Sequence, residues 1–127
     1  MKIKQTIVAG VQHTLPLMLT EGHFRRGLSL EHLARLLSAN VARRFRLPTD
    51  KGGLHPGADA DFALVVLTRD TDVERDRLLD RHRLSPYVGR RLRSRVVRTV
   101  LRGTTIFHDG EIVSKPGGRL VKPRPNE

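Results

Sequence analysis

The chain has no cysteine and no tryptophan, and aromatic residues make up only 4% of its 127 residues. Without thiols there can be no disulfide staple, no thiolate zinc site and no cysteine nucleophile, and nothing points to an oxidising compartment. Acids are also few: 13 Asp and Glu face 24 Lys and Arg, for a formal charge of +11. Such an imbalance favours a polyanion or an acidic protein surface as a partner. Long apolar runs are missing as well. Lys2 and Lys4 precede apolar residues, but Gln12, His13 and Pro16 interrupt the run, so neither a signal peptide nor a membrane span is expected and the default location is the cytoplasm. The length suits one ordinary domain, although 38% hydrophobic content is low for a self-sufficient core.

The most informative stretch is Lys51 to Val66, KGGLHPGADADFALVV. A Lys-Gly-Gly turn and Pro56 lead through Asp59 and Asp61 into an apolar run from Phe62 to Leu67, as a loop hands the chain to a buried strand. The two aspartates read as caps on backbone amides at the strand entrance. They do not read as metal or acid/base carboxylates, because the stretch holds no third carboxylate and His55 in it is a lone histidine.

Upstream, Ile7 to Leu19 suits a loop entering a short buried helix, and Gly22 to Gly27 reads as a solvated link. Ser29 stands at an N-cap position. After it, Leu33, Leu37, Val41 and Phe45 recur at fourfold spacing, which predicts an amphipathic helix ended by Pro48. Downstream, Thr68 to Asp80 carries charge of both signs and reads as a loop with a short helical turn and little part in the core. Val96 to Leu101 has strand character that Gly103 breaks, and Asp109-Gly110 between two β-prone runs predicts a hairpin. The tail from Lys115, with three prolines and two glycines, is expected to be extended and partly mobile.

Signatures of chemistry are scarce. The six histidines include no HxH or HExxH pair, and Gly52-Gly53 lack the Lys-Ser/Thr of a phosphate loop. Eight arginines and no acid lie between Arg81 and Arg102. That density would release counterions from a nucleic-acid backbone, but Tyr87 is the one aromatic in the span, so base stacking is poorly supported and nucleic acid is a disfavoured partner.

Taken in order, several pieces resemble the C-terminal region of cyclic amidohydrolases, the group containing dihydroorotase, allantoinase and hydantoinase. They are Gly10-Val11-Gln12 with Leu15-Pro16-Leu17; Leu28-Ser29-Leu30-Glu31 opening a helix that carries Ser38-Ala39-Asn40 and Ala42; Lys51-Gly52; Gly57-Ala58-Asp59-Ala60-Asp61; Ser85-Pro86-Tyr87 with Gly89; and Arg102-Gly103 with Asp109-Gly110. Leu15-Pro16-Leu17-Met18 and Ser85-Pro86-Tyr87 look most like the allantoinase and dihydroorotase branch. Val41, Val66 and Ser94 depart from the family pattern, which commonly has proline, aspartate and glycine there.

The resemblance implies an α+β segment comprising the last helices of a (β/α)₈ barrel (residues 1–50), strands of a small β-sandwich (51–114) and an extended tail (115–127). It also implies that the chain starts just after the metal-binding aspartate of the eighth barrel strand. The family uses zinc or a similar divalent metal to hydrolyse a cyclic amide, yet no catalytic or metal residue of the family matches a position here. Ala9 and Gly10 remain as candidate substrate-loop residues. The chain alone is expected to be inactive. Leu33, Leu37, Phe45 and the strand faces are expected to lack partners, which favours self-association or a complementing barrel segment. A stand-alone basic module binding nucleic acid or an acidic protein is the alternative.

Overall fold

The computed structural model describes residues 10–125. A first helical run is built from a 3₁₀ turn at Val11–His13, α1 at Thr14–Met18 and a π-helical stretch at Leu19–Phe24. A second follows as α2 (Leu30–Ala34), a π-helical stretch (Arg35–Ala39) and α3 (Asn40–Arg44). Then come β1 (Phe62–Val66), β2 (Thr71–Asp72), β3 (Arg91–Leu92), β4 (Arg95–Leu101), β5 (Thr104–His108) and β6 (Glu111–Ile112), with a 3₁₀ turn at Arg75–Arg77. Strands β1-β4-β5-β6 form an antiparallel sheet in that order, and β2 pairs with β3 alone. No helix among the described residues is long and apolar enough to cross a membrane.

Local chemistry explains the boundaries. Ser29 caps α2 as expected, its side chain accepting from the His32 amide. The second run closes before Pro48: the Arg46 amide reaches the Arg43 carbonyl and the Leu47 amide reaches that of Ala42, with Arg46 at φ 50. That is a Schellman ending with arginine in the left-handed position usually held by glycine. Two-residue turns with positive φ at both positions, Arg102-Gly103 and Asp109-Gly110, join β4 to β5 and β5 to β6. Gly103 therefore turns a hairpin. From Lys115 to Pro125 the chain has no regular structure. The Arg102 guanidinium donates to the Gly117 carbonyl, and the Arg124 amide to that of Arg46.

Four expectations need correction. The run from Phe62 to Leu67 forms β1 but is not a buried strand, since Ala63 and Leu64 are exposed and the others only half-buried. Gly22 to Gly27 is no solvated link, because helical backbone continues through Arg26 and stops only at Gly27, at φ 71. Gly22 serves packing: a Cβ there would lie 3.3 Å from both Leu28 and Leu33 side chains, so its bareness lets the two helical runs approach. For the same reason Leu33 is not left without a partner in this chain, being only 2% exposed. Leu37 is half-buried, whereas Phe45 is 61% exposed and Leu30, Leu36 and Val41 of the same run are exposed too. Finally, Thr68 to Asp80 contributes centrally to the core. Val73 and Leu78 cluster with Leu92, and Leu17, Tyr87 and Val88 pack around them.

Candidate substrate-facing loop and its supports

Ala9 lies outside the described residues; Gly10 is the first of them. Its carbonyl accepts from the His13 amide at 3.2 Å and the Thr14 hydroxyl at 3.0 Å, which starts the first helical run. Gln12 fixes the loop from beneath. Its side-chain amide donates to the Arg77 carbonyl and its carbonyl oxygen accepts from the Leu79 amide, both at 2.9 Å. This two-way clamp ties the start of the helical run to a segment 65 residues later. Val11, between them, stands 92% exposed, so the loop presents backbone and one apolar side chain outward. His13 is buried, with no hydrogen-bond partner for Nδ1 among the described residues, and burial pulls its pKa below the ordinary imidazole value.

Tyr87 is the second support. The Ser85 hydroxyl accepts from the Tyr87 amide at 3.2 Å, a local turn that aims the ring toward Gly10. A Cβ on Gly10 would meet that ring at 3.8 Å, an ordinary contact, and the backbone there has φ −115. Neither geometry nor space therefore demands glycine at this position. The fold thus brings Gly10 against Tyr87, while Gln12 and His13 line a cavity of about 770 Å³ together with Leu15, Thr71, Val96 and Phe107 among others.

The loop from Lys51 to Asp61 lies elsewhere and has a structural role. Lys51 Nζ donates to Asp59 at 2.6 Å and to Asp61 at 2.5 Å, and the second oxygen of Asp61 accepts from the Arg102 amide at 2.7 Å. Asp61 thus caps an amide across the sheet, as the sequence suggests, while Asp59 serves the ion pair. These contacts hold the Asp61 carboxyl below its ordinary value, chiefly through Lys51, and raise the Lys51 ammonium through both carboxylates. Gly52 has φ 88, and a Cβ on it would fall 2.3 Å from that of Ala42. The Ser38 hydroxyl donates to the Gly52 carbonyl. The Ser38-Ala39-Asn40 and Lys51-Gly52 pieces are therefore two sides of one close approach.

The residues present do not make a metal centre. Among those described, no three His, Asp or Glu side chains converge, and both loop aspartates are taken by an ammonium. Three arginines of the run are committed. Arg90 pairs with Glu21 at 2.7 Å, Arg91 with Asp70 at 2.8 Å, and Arg93 lies over the Phe24 ring at 4.3 Å. Glu21 also takes Arg25; burial alone would raise its pKa, but these arginines hold it below the ordinary range. No local signal marks the Gln12 clamp, whose partners lie more than 60 residues away, and the Lys51 pairing is set by how its own loop folds.

Known proteins match this chain across most of its length. It is 52% identical over 117 residues to an allantoinase of Rubrobacter xylanophilus, covering 92% of this chain and 26% of that protein. An allantoinase of Solibacter usitatus is 45% identical over 119 residues, covering 94% and 26%. Among solved structures, the L-hydantoinase (dihydropyrimidinase) of Arthrobacter aurescens superposes with a TM-score of 0.79 at 35% identity, over 85% of this chain and 24% of that one. The chain spans about a quarter of the length of these relatives. No protein-family model matches it.

Proposed function

Because the chain belongs to the cyclic amidohydrolases and corresponds to the C-terminal part of their members, we propose that it acts as the C-terminal segment of an allantoinase- or hydantoinase-like enzyme of the cytoplasm. In such an enzyme a water adds to a ring carbonyl and the cyclic C–N bond breaks. The divalent ion that the family employs, zinc or a similar metal, would be held by residues other than these. The reading assigns residues 1–50 to the closing helices of a (β/α)₈ barrel, 51–114 to sandwich strands and 115–127 to a tail. The observation that carries it is the 52% identity to an allantoinase over nearly the whole chain.

On this reading Ala9 and Gly10 border the substrate. The geometry at Gly10 supports that role: φ −115 and a nearest contact of 3.8 Å would accept a side chain, so a need for glycine would come from something bound against the loop. Gly10→Val is expected to leave this chain folded. At the matching glycine of an intact relative the same change should raise KM or lower kcat roughly tenfold or more; unchanged kinetics there would remove the substrate role.

Alone, the chain contributes no metal ligand, and we expect it to be inactive toward allantoin, hydantoins and dihydroorotate with zinc supplied. Turnover by a contaminant-free sample would overturn the assignment. Exposed apolar side chains at Leu36, Val41, Phe45 and Leu64 support association with a second copy or with a complementing barrel segment. The alternative of a basic binding module is weakened by the internal partners of Arg90, Arg91 and Arg93.

A further inference from the structure

At Leu78 the backbone is extended, with φ −73 and ψ 131, and the side chain lies in the core cluster with Val73 and Leu92. Extended backbone turns the Arg77 carbonyl and the Leu79 amide, one on each side of Leu78, toward the same side. Gln12 occupies that side. Its carboxamide donates to the carbonyl and accepts from the amide, both at 2.9 Å, as the peptide group of a neighbouring strand would. The two partners also fix which end of the carboxamide is which, because a backbone carbonyl only accepts and a backbone amide only donates. The Arg77 guanidinium turns instead to Glu74, at 2.6 Å.

What Gln12 holds is otherwise lightly fastened. The first helical run begins with a 3₁₀ turn that no side chain caps, and Val11 stands almost wholly exposed. Gln12 is itself exposed, and hydrogen bonds that water can replace add little to stability. The clamp therefore counts for place more than for stability: it ties the residue two positions after Gly10 to the backbone around a core side chain.

We propose that Gln12 is a positioning residue for the candidate substrate loop. By pairing both halves of its carboxamide with the backbone on either side of Leu78, it sets where Gly10 and Val11 stand against a bound cyclic amide. The proposal rests on the substrate-loop reading above and adds the residue through which that loop is held. A shift of about 1 Å in a group that orients substrate can cost roughly a hundredfold in rate, so a clamp of small energy has a large effect on turnover.

Two substitutions separate hydrogen-bond polarity from packing. Gln12→Met keeps the length and removes both bonds. Gln12→Glu keeps the shape, but its carboxylate, still able to accept from Leu79, sets an oxygen against the Arg77 carbonyl. In this chain, exchange of the Leu79 amide should speed up roughly tenfold in Gln12→Met. In an intact allantoinase that carries glutamine at the matching position, both variants should raise KM for allantoin roughly tenfold, with a smaller change in kcat. Their melting temperatures should fall by no more than about 4 °C. Unchanged exchange at Leu79 in Gln12→Met would show that the clamp does not form, and a wild-type KM in Gln12→Glu would show that shape alone is needed; either overturns the proposal. So would a large fall in melting temperature with KM and kcat unchanged, which marks a structural role only. Gly10→Val in the same allantoinase separates the proposal from the reading beneath it. If that change impairs catalysis while Gln12→Met does not, the clamp alone is overturned; if neither does, the substrate loop is overturned as well.

Discussion

Two loops flank β1, and they use similar residues to opposite ends. The one before it, Lys51 to Asp61, satisfies its charges within itself: one lysine holds two aspartates, and the loop's glycine lies against Ala42. The one after it, Thr68 to Asp80, sends its charges outward, to Arg91 and along its own 3₁₀ turn between Glu74 and Arg77. Between those charges it places Val73 and Leu78 into the centre of the core. Charge density along a segment therefore says little about whether the segment is buried. What decides is where each apolar side chain falls when the backbone bends, and β2 with its following turn bends it twice.

The comparison is broken most directly in the core. Leu92→Ala removes a fully buried side chain that touches both Val73 and Leu78 and should cost about 3 kcal/mol, measured by denaturant unfolding. A loss under about 1 kcal/mol would mean that the second loop is peripheral after all. Next, Gly52→Ala puts a methyl 2.3 Å from Ala42 Cβ at a positive φ, and should cost about 2 kcal/mol or more. The double variant with Ala42→Gly would relieve the clash but keep the φ strain, so partial recovery is expected.

Lys51→Met leaves two partly buried carboxylates facing each other and should cost roughly 2 kcal/mol. The pH dependence of the wild-type chain reports on the same cluster. Asp61 lies below its ordinary 3.8 when folded, so its contribution is present above pH 3.8 and is lost as pH falls through the folded value. Lys51 lies above its ordinary 10.5, so its contribution is full below pH 10.5 and is lost as pH rises through the folded value. Lys51→Met should flatten both flanks; an unchanged profile would show that the cluster does not couple to folding. The smallest effect is expected at Ser94, wholly buried beside β2 with no hydrogen-bond partner for its hydroxyl among the described residues. Ser94→Ala should be neutral or stabilise by about 1 kcal/mol, and a clear loss would reveal a hydrogen bond the hydroxyl makes in solution.

Legibility followed distance along the chain. The Ser29 cap and its partner His32 are three residues apart, and the Asp109-Gly110 turn joins adjacent strands, so each was readable where it stands. The clamp from Gln12 to Arg77 and Leu79, and the bond from the Arg93 amide to the Thr20 hydroxyl, join residues more than 60 positions apart. Gly22 shows how this misleads: as a letter it resembles a helix breaker, whereas in space it is the gap that admits Leu28 and Leu33.

By itself the sequence determined the second helical run with its Ser29 cap, strands at Phe62–Val66 and within Val96–Leu101, the Asp109-Gly110 turn, and the family, because each is written in local propensity or in a run of neighbouring residues. Only the tertiary structure decided that Val73, Leu78 and Leu92 form one core, that Gln12 clamps Arg77 and Leu79, and that Gly10 meets Tyr87. Those contacts join segments that come together only when the whole chain closes, and no local pattern encodes which distant partner will be there.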